Sequence, residues 1–284
     1  MSRNRDRVGG ENTSPAPSAP VEAMNTNVFS FVAPTEFVEL PSEGKFYPSD
    51  HPLFNQKTIE IKQMTAKEED ILSSMTLIKN GVALERLLES VIIDKNIKPE
   101  TLLLGDRNAI IIAARVSGYG IEYRTEIRCP KCEADQKFGF NLAHAKTRTT
   151  TQIISNLDDS INLVNNEFKI SLPKSKLNVG LKLLNGIDES SIADIMEINE
   201  QQNLDRLVTT QLAFMISSVN DNYTKEAIEH VVENIPSSDS AFIRKLYKSI
   251  IPNIDLTLGF KCSSCSHKED LEVPLNVDFF WPDQ

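Results

Sequence analysis

The chain has no apolar run near the roughly 18 to 20 residues that a membrane-spanning helix needs, and no apolar stretch near its start of the kind that leads a secreted chain. It also lacks HExxH, GxxxxGK[ST], GxSxG and GxGxxG, so the common zinc-protease, nucleotide-binding and serine-hydrolase signatures are absent. Its four histidines, His51, His144, His230 and His267, are scattered and suggest no general base. Gly118-Tyr119-Gly120 is a lone glycine turn that reads as a helix stop. Glu68, Glu69 and Asp70 are consecutive in a helix's first turn, where capping and dipole effects account for them. Asp158-Asp159 lacks the spaced ligands of a calcium loop. Enzymatic activity has no positive support. Cations are in deficit too, with 30 Lys and Arg against 40 Asp and Glu for a net charge of −10, which opposes duplex binding by the molecule as a whole.

Cysteine is scarce, and its placement is informative. All four cysteines fall in two Cys-x-x-Cys turns, Cys129-Pro130-Lys131-Cys132 and Cys262-Ser263-Ser264-Cys265, separated by nearly half the chain. Each turn follows an apolar helical segment, a Gly or Pro break and an alternating run, and each leads into another alternating run. One such turn points two thiolates to one side, which is half of a tetrahedral site. Two turns brought together would bind one structural Zn²⁺ per chain through Cys129, Cys132, Cys262 and Cys265. Disulfides or free buried thiols, and a redox-active pair, are the competing chemistries. A redox pair wants a helix after its cysteines, and strands are expected here. His267 could replace one thiolate if the turns do not meet; otherwise it is a surface residue of its hairpin. Sparse, paired cysteine fits a reducing compartment, so the protein is expected in cytoplasm or packaged from it.

At 284 residues, with 40% hydrophobic and 25% charged content, the chain can bury a real core. Residues 1–27 are rich in Ser, Pro, Asn and Gly and read as a disordered tail. Residues 28–56 form an aromatic, Pro-rich arm that either wraps a neighbour or covers this protein's own core, with Phe29, Phe31, Phe37, Phe46 and Tyr47 as its anchors. Residues 57–141 comprise a strand (KTIEIKQM), a helix from the Thr65-Ala66-Lys67-Glu68 capping box to about Lys79, helices over 82–93 and 109–116, and the first Cys hairpin. Residues 142–284 begin with a polar, Thr-rich linker to 160. A strand at 167–172 and a strand-or-helix at 177–184 follow. Helices are expected over 188–199, 203–217, 224–234 and 238–249. The second Cys hairpin closes with a strand through Leu271, Val273, Leu275, Val277 and Phe279. The fold class is α+β: helical clusters with two zinc-knuckle β-hairpins joined in a four-cysteine, zinc-ribbon-like site.

From these residues alone, two functions compete: an assembly or structural protein, and a zinc-ribbon nucleic-acid-binding adaptor. The stretches LPSEGKFYPSDHPL, IEIKQMTAKEEDIL and NIKPETLLLGDRNAIIIAARVSGYGIEY, with the following CPKC, resemble the baseplate hub assembly proteins of T-even-type contractile-tailed phages, the gene product 26 family. LPKSKLNVGLKLLNG, DSAFIRKLYKSIIPNIDL and FKCSSC continue the likeness, which covers roughly 37–284. The resemblance implies a role in building the baseplate hub through contacts with other hub proteins; the hydropathy and the net charge are the grounds for expecting no membrane and no nucleic-acid partner. It implies residence in host cytoplasm during assembly, with the tail baseplate of the virion as the alternative. It carries no catalytic residues over, and the family's Cys pairs fall on Cys129, Cys132, Cys262 and Cys265.

Overall fold

Alternating apolar and polar residues make a strand of the chain's first described element, and the similar run at 58–62 is its partner. β1 (Thr35–Glu39) and β2 (Thr58–Lys62) pair antiparallel, with Val38 opposite Ile59. They belong to a computed structural model that describes residues 32–158, 161–164, 166–202, 204–273, 275 and 277–280. The tail at 1–27, and Phe29 and Phe31 of the arm, lie outside the described residues. The arm's described part turns inward after β1: Leu40, Phe46, Tyr47 and Leu53 are buried in this protein's own core, and Phe37 is exposed. Gly44 sits at φ +70° in this turn, where an added Cβ would lie 2.5 Å from backbone atoms of Leu53 and Gln56, so only glycine fits.

Four helices follow: α1 (Ala66–Ser73), α2 (Met75–Lys79), α3 (Ala83–Val91) and α4 (Leu104–Tyr119). The single helix expected to Lys79 is broken at Ser74, whose backbone is extended. The predicted capping box does more than end a helix. Glu68 is buried and receives the Thr65 amide (2.9 Å) and hydroxyl (2.6 Å), the Lys62 ammonium (2.7 Å) and the Ser90 hydroxyl (2.5 Å). It therefore ties β2, α1 and α3 together. α4 is longer at both ends than the predicted 109–116, because Leu103 rather than Asp106 precedes its first turn and Gly118 continues the helix to a stop at Gly120 (φ +82°).

Asp106 is fully buried, and the arm is built around it. Its carboxylate accepts the Ser42 amide (2.9 Å), the Ser42 hydroxyl (2.5 Å) and the Tyr47 hydroxyl (2.8 Å). Burial pushes this carboxyl upward against the pull of those donors. Arg115, three turns along α4 and equally buried, donates to the carbonyls of Phe279 (2.9 Å), Gly120 (2.9 Å) and Glu122 (3.1 Å).

After α4 come the first hairpin, β3 (Glu122–Arg128) and β4 (Asp135–Asn141), then β5 (Lys146–Arg148) and α5 (Thr150–Ser155). The expected linker is thus structured as far as Ser155. Thr149 and Gln152 form a capping box, and buried Thr150 bonds the carbonyls of Pro41 and Ser42. Polar composition hid this because the threonines satisfy backbone groups of the arm.

β6 (Ile161–Val164), β7 (Glu167–Ser171), β8 (Asn178–Leu181), α6 (Gly186–Gln201), α7 (Leu207–Met215) and β9 (Ile216–Val219) follow. The strands form one antiparallel sheet in the order β6-β7-β8-β9. The helix predicted over 203–217 therefore stops short: β-branched Ile216 and Val219 join β8, where Val219 sits opposite Val179. Asp188 does not start α6 as predicted. It is the third residue of α6 and closes a capping box that opens at Asn185.

The chain closes with α8 (Lys225–Asn234), α9 (Ser237–Ile250), β10 (Asn253–Asp255) paired to β5, and the hairpin β11 (Thr257–Lys261) and β12 (Lys268–Glu272). Asp239, in the first turn of α9, accepts the amides of Lys174 and Ser175, which fixes the β7–β8 turn. The predicted closing strand ends at Glu272; Val277–Phe280 is a 3-10 turn that buries Phe279 and Phe280. Apolar residues from Val38 to Phe280 form one continuous core.

Glu68 sets an acid limit on this core. Burial alone would raise its carboxyl, but the Lys62, Ser90 and Thr65 donors outweigh burial and hold it down to about 2, against an ordinary 4.5. A depressed carboxyl contributes stability above the unfolded value that is lost as pH falls toward the folded one. Allowing for solvent screening at half-buried Lys62, this contribution is about 1 to 2 kcal/mol. Equilibrium denaturation of wild type and Glu68→Gln should therefore differ at pH 7 and converge between pH 4.5 and 2; a constant gap would refute the assignment.

Candidate metal centre

Each Cys pair sits in the turn of an antiparallel hairpin, and the two turns have the same internal bonding. In the first, the Cys129 amide donates to the Ala134 carbonyl (3.0 Å) and the Glu133 amide to the Cys129 carbonyl (2.9 Å). In the second, the Cys262 amide donates to the His267 carbonyl (2.8 Å) and the Ser266 amide to the Cys262 carbonyl (3.1 Å). Glu133 and Ser266, each directly after the second cysteine of its pair, share a left-handed backbone with φ 57°. This local two-fold equivalence gives structural content to the repeat suggested by the sequence.

The structure brings all four predicted cysteines together. Cys129 Sγ lies 3.8 Å from Cys265 Sγ, and Cys132 Sγ lies 3.7 Å from Cys262 Sγ. All four sulfurs fall within 4.8 Å of one another. A tetrahedron with metal–sulfur bonds near 2.3 Å has edges of about 3.8 Å, so the cluster is capable of coordinating a metal ion. The cysteines are free, and both pairs lead into strands rather than helices, unlike a redox turn. His267 is not in the cluster; its ring pairs with Glu269 at 3.1 Å, in keeping with the surface alternative. His51 stacks on Tyr47 at 4.4 Å and bonds Thr101 at 2.9 Å, a structural role.

Electrostatics inside the cluster favour a cation. The amides of Cys265 and Ser264 donate to Cys262 Sγ at 3.4 and 3.3 Å and hold its thiol down to about 6. At Cys132 the Ala134 amide pulls downward, but the neighbouring thiols of Cys265, Cys129 and Cys262 win, and its thiol is pushed up to about 12. One negative sulfur obstructs the next unless positive charge sits between them.

Several contacts joining the hairpins carry no sequence signal. Gln136 Oε1 accepts both the Ser263 amide (2.8 Å) and its hydroxyl (2.7 Å), from one hairpin to the other. Phe138 meets Phe260 edge-on at 5.1 Å, and with Ile127 and Leu271 these rings back the buried Cys129 and Cys262. Cys132 and Cys265 face solvent. The site is thus closed on the protein side and accessible to small chelators on the other.

The left-handed residues give a test of the turn geometry. Ser266→Gly should stabilise the protein by up to about 1 kcal/mol, because glycine carries no Cβ penalty at positive φ, and Ser266→Val should destabilise it by at least as much. Thermal unfolding of the two variants checks both signs.

A family model described as T4 bacteriophage base plate protein matches residues 33–281. Comparison with curated proteins and with solved structures finds no significant match. The match spans both hairpins, the four-stranded sheet and the arm's inward turn around Asp106. The chain belongs to the T4 bacteriophage base plate protein family.

Proposed function

We propose that this protein is a structural or assembly protein of the baseplate hub of a contractile-tailed phage, acting through contacts with other hub proteins. The family match over 33–281 is the observation that carries this reading. We propose further that Cys129, Cys132, Cys262 and Cys265 hold one structural Zn²⁺ per chain. Sulfur spacings of 3.7 and 3.8 Å support this, as does the thiolate-supporting amide pattern. Four thiolates fill the coordination shell and leave no position for a substrate, so the ion would supply folding free energy rather than chemistry. It would tie the segment at 57–141 to the one at 142–284. The site of action would be host cytoplasm during assembly, with the tail baseplate of the virion as the alternative.

The nucleic-acid adaptor reading gains nothing from the hairpin surfaces. Arg124 pairs with Glu122 at 3.0 Å and Arg128 with Glu133 at 2.6 Å, so these guanidiniums are already neutralised locally. No helix among the described residues is long and apolar enough to cross a membrane.

Metal analysis of the purified protein should find close to one zinc per chain. Chelation, or Cys132→Ser, should lower the melting temperature by roughly 10 °C, the effect of a few kcal/mol in a chain of this size. Absence of bound metal would refute the zinc assignment and leave the baseplate reading intact. Affinity capture from infected cells, with mass spectrometry of assembly intermediates and finished particles, should recover other hub proteins. Recovery in intermediates alone would identify an assembly factor, recovery in particles a retained subunit, and recovery in neither would refute the hub role.

A further inference from the structure

α6, α7 and α8 enclose a groove of about 660 Å³ against the β7–β9 region of the sheet, remote in sequence from the thiol cluster. Its apolar walls include Ile195, Phe214, Ile228 and Val232, and Tyr223 stands exposed at its edge. α6 contributes little to the core: among its described side chains only Gly186 and Asn199 are buried, and Ile187, Ile195 and Ile198 are exposed.

The groove's polar groups are unevenly satisfied. Lys182 pairs with Asp188 at 2.8 Å, Lys225 with Glu229 at 3.4 Å and Arg206 with Glu233 at 3.9 Å. Glu167 has no ion-pair partner among the described residues, and its Oε2 is buried without a hydrogen bond. The same holds for Ser217 Oγ and for Asn199 Nδ2, whose residue is only 9% exposed. Three of the five such buried atoms among the described residues line this one groove. Unpaired buried polar groups cost free energy and are uncommon in finished folds, so their convergence sets this groove apart from the rest of the described residues.

We infer that this groove docks a segment of a partner polypeptide in which an apolar side chain lies beside a lysine or arginine. The apolar walls take the first side chain and the Glu167 carboxylate takes the cation. A carboxylate with no ion pair among the described residues selects a cation, and the apolar wall beside it selects a side chain carried next to that cation, as a polypeptide carries both. Tyr223 at the rim is the kind of aromatic that carries binding energy in protein interfaces. This inference deepens the hub reading by naming a surface, and it rests on that reading for the identity of the partner.

Two measurements on the full chain test it. In methyl NMR, 4-phenylbutylammonium should shift the Ile195 and Ile228 signals saturably, at least fivefold more tightly than 4-phenylbutyrate, and Glu167→Gln should erase that preference. Equal binding of both probes, or of neither, overturns the charge assignment. In complementation of a phage lacking this chain, the groove-filling variant Ala213→Trp should lower tail yield at least tenfold. Its zinc content and melting temperature should match wild type. If Ala213→Trp does not fold, Glu167→Gln serves instead and should lower the yield at least threefold. Full yield with either folded variant overturns docking at the groove, even if the small ammonium binds there. If the wild-type protein itself is absent from all hub intermediates, the hub reading fails, and the NMR result stands apart from that outcome.

Discussion

Two buried ionic groups on one helix hold the ends of the described chain to its middle. Asp106 and Arg115 both project from α4, which is buried along most of its length. Asp106 gathers Ser42 and Tyr47, and Arg115 gathers the carbonyls of Phe279, Gly120 and Glu122. Among the described residues, neither group is bonded to an opposite charge; each is balanced by dipoles of the backbone and hydroxyls. Such groups add little net stability over an apolar core, because desolvation offsets most of the attraction. What they fix is register. A chain segment that slipped by one residue around Asp106 or Arg115 would leave a buried charge with missing partners, at several kcal/mol.

The same logic extends outward from α4. Glu68 joins β2, α1 and α3, Asp239 pins the β7–β8 turn, and Tyr47 spends both its lone pair and its proton on α4 by accepting the Leu103 amide while donating to Asp106. Gly105 belongs to this set through absence: a Cβ there would sit 1.9 Å from the Pro252 carbonyl oxygen, so α4 can lie directly on the chain entering β10. β10 leads within two residues to β11, and α4 leads within three to β3. The close approach at Gly105 and the bonds of Arg115 therefore bring the two hairpins side by side before any ion is considered. A cluster of thiols capable of coordinating a metal then forms from sulfurs 130 and 136 residues apart in sequence. Loop closure is already provided by the core, and the thiol cluster rests on it.

What the sequence revealed, and what it hid, divides along the same line. The Cys-x-x-Cys turns, the alternating runs beside them and the α+β class were legible because each is a local pattern with one dominant physical cause. The convergence of the two turns was inferable from ligand arithmetic alone. By contrast, Ile216 and Ser217 at the start of β9 were read as helix because they follow directly on a helical run, and only the open edge of β8 makes them a strand. α5 was read as linker because its threonines look like solvent-facing residues, whereas Thr150 is spent on carbonyls of the arm more than 100 residues earlier. Gln136 gave no signal at all. The left-handed Glu133 and Ser266 were hidden by the absence of glycine at both positions, although their equal offset from the two Cys pairs was on the page. Long-range contacts explain the misses at β9, Thr150 and Gln136, whereas those at Glu133 and Ser266 are local backbone geometry.

The polar groups also divide the molecule into parts of different finish. On α4, buried Asp106 and Arg115 each hold three hydrogen bonds. On the far side of the sheet, three groups lining a single groove are unmatched among the described residues, and α6 keeps three isoleucines in solvent. Glu167 Oε2 and the Ser217 and Ser218 hydroxyls all lie around Gly180, where any side chain would collide with them. On the docking proposal, the cross-bonded half is the fixed frame and the groove is the surface that a partner covers. For a member of a baseplate family, that arrangement joins the fold to the proposed function without requiring any chemistry of its own.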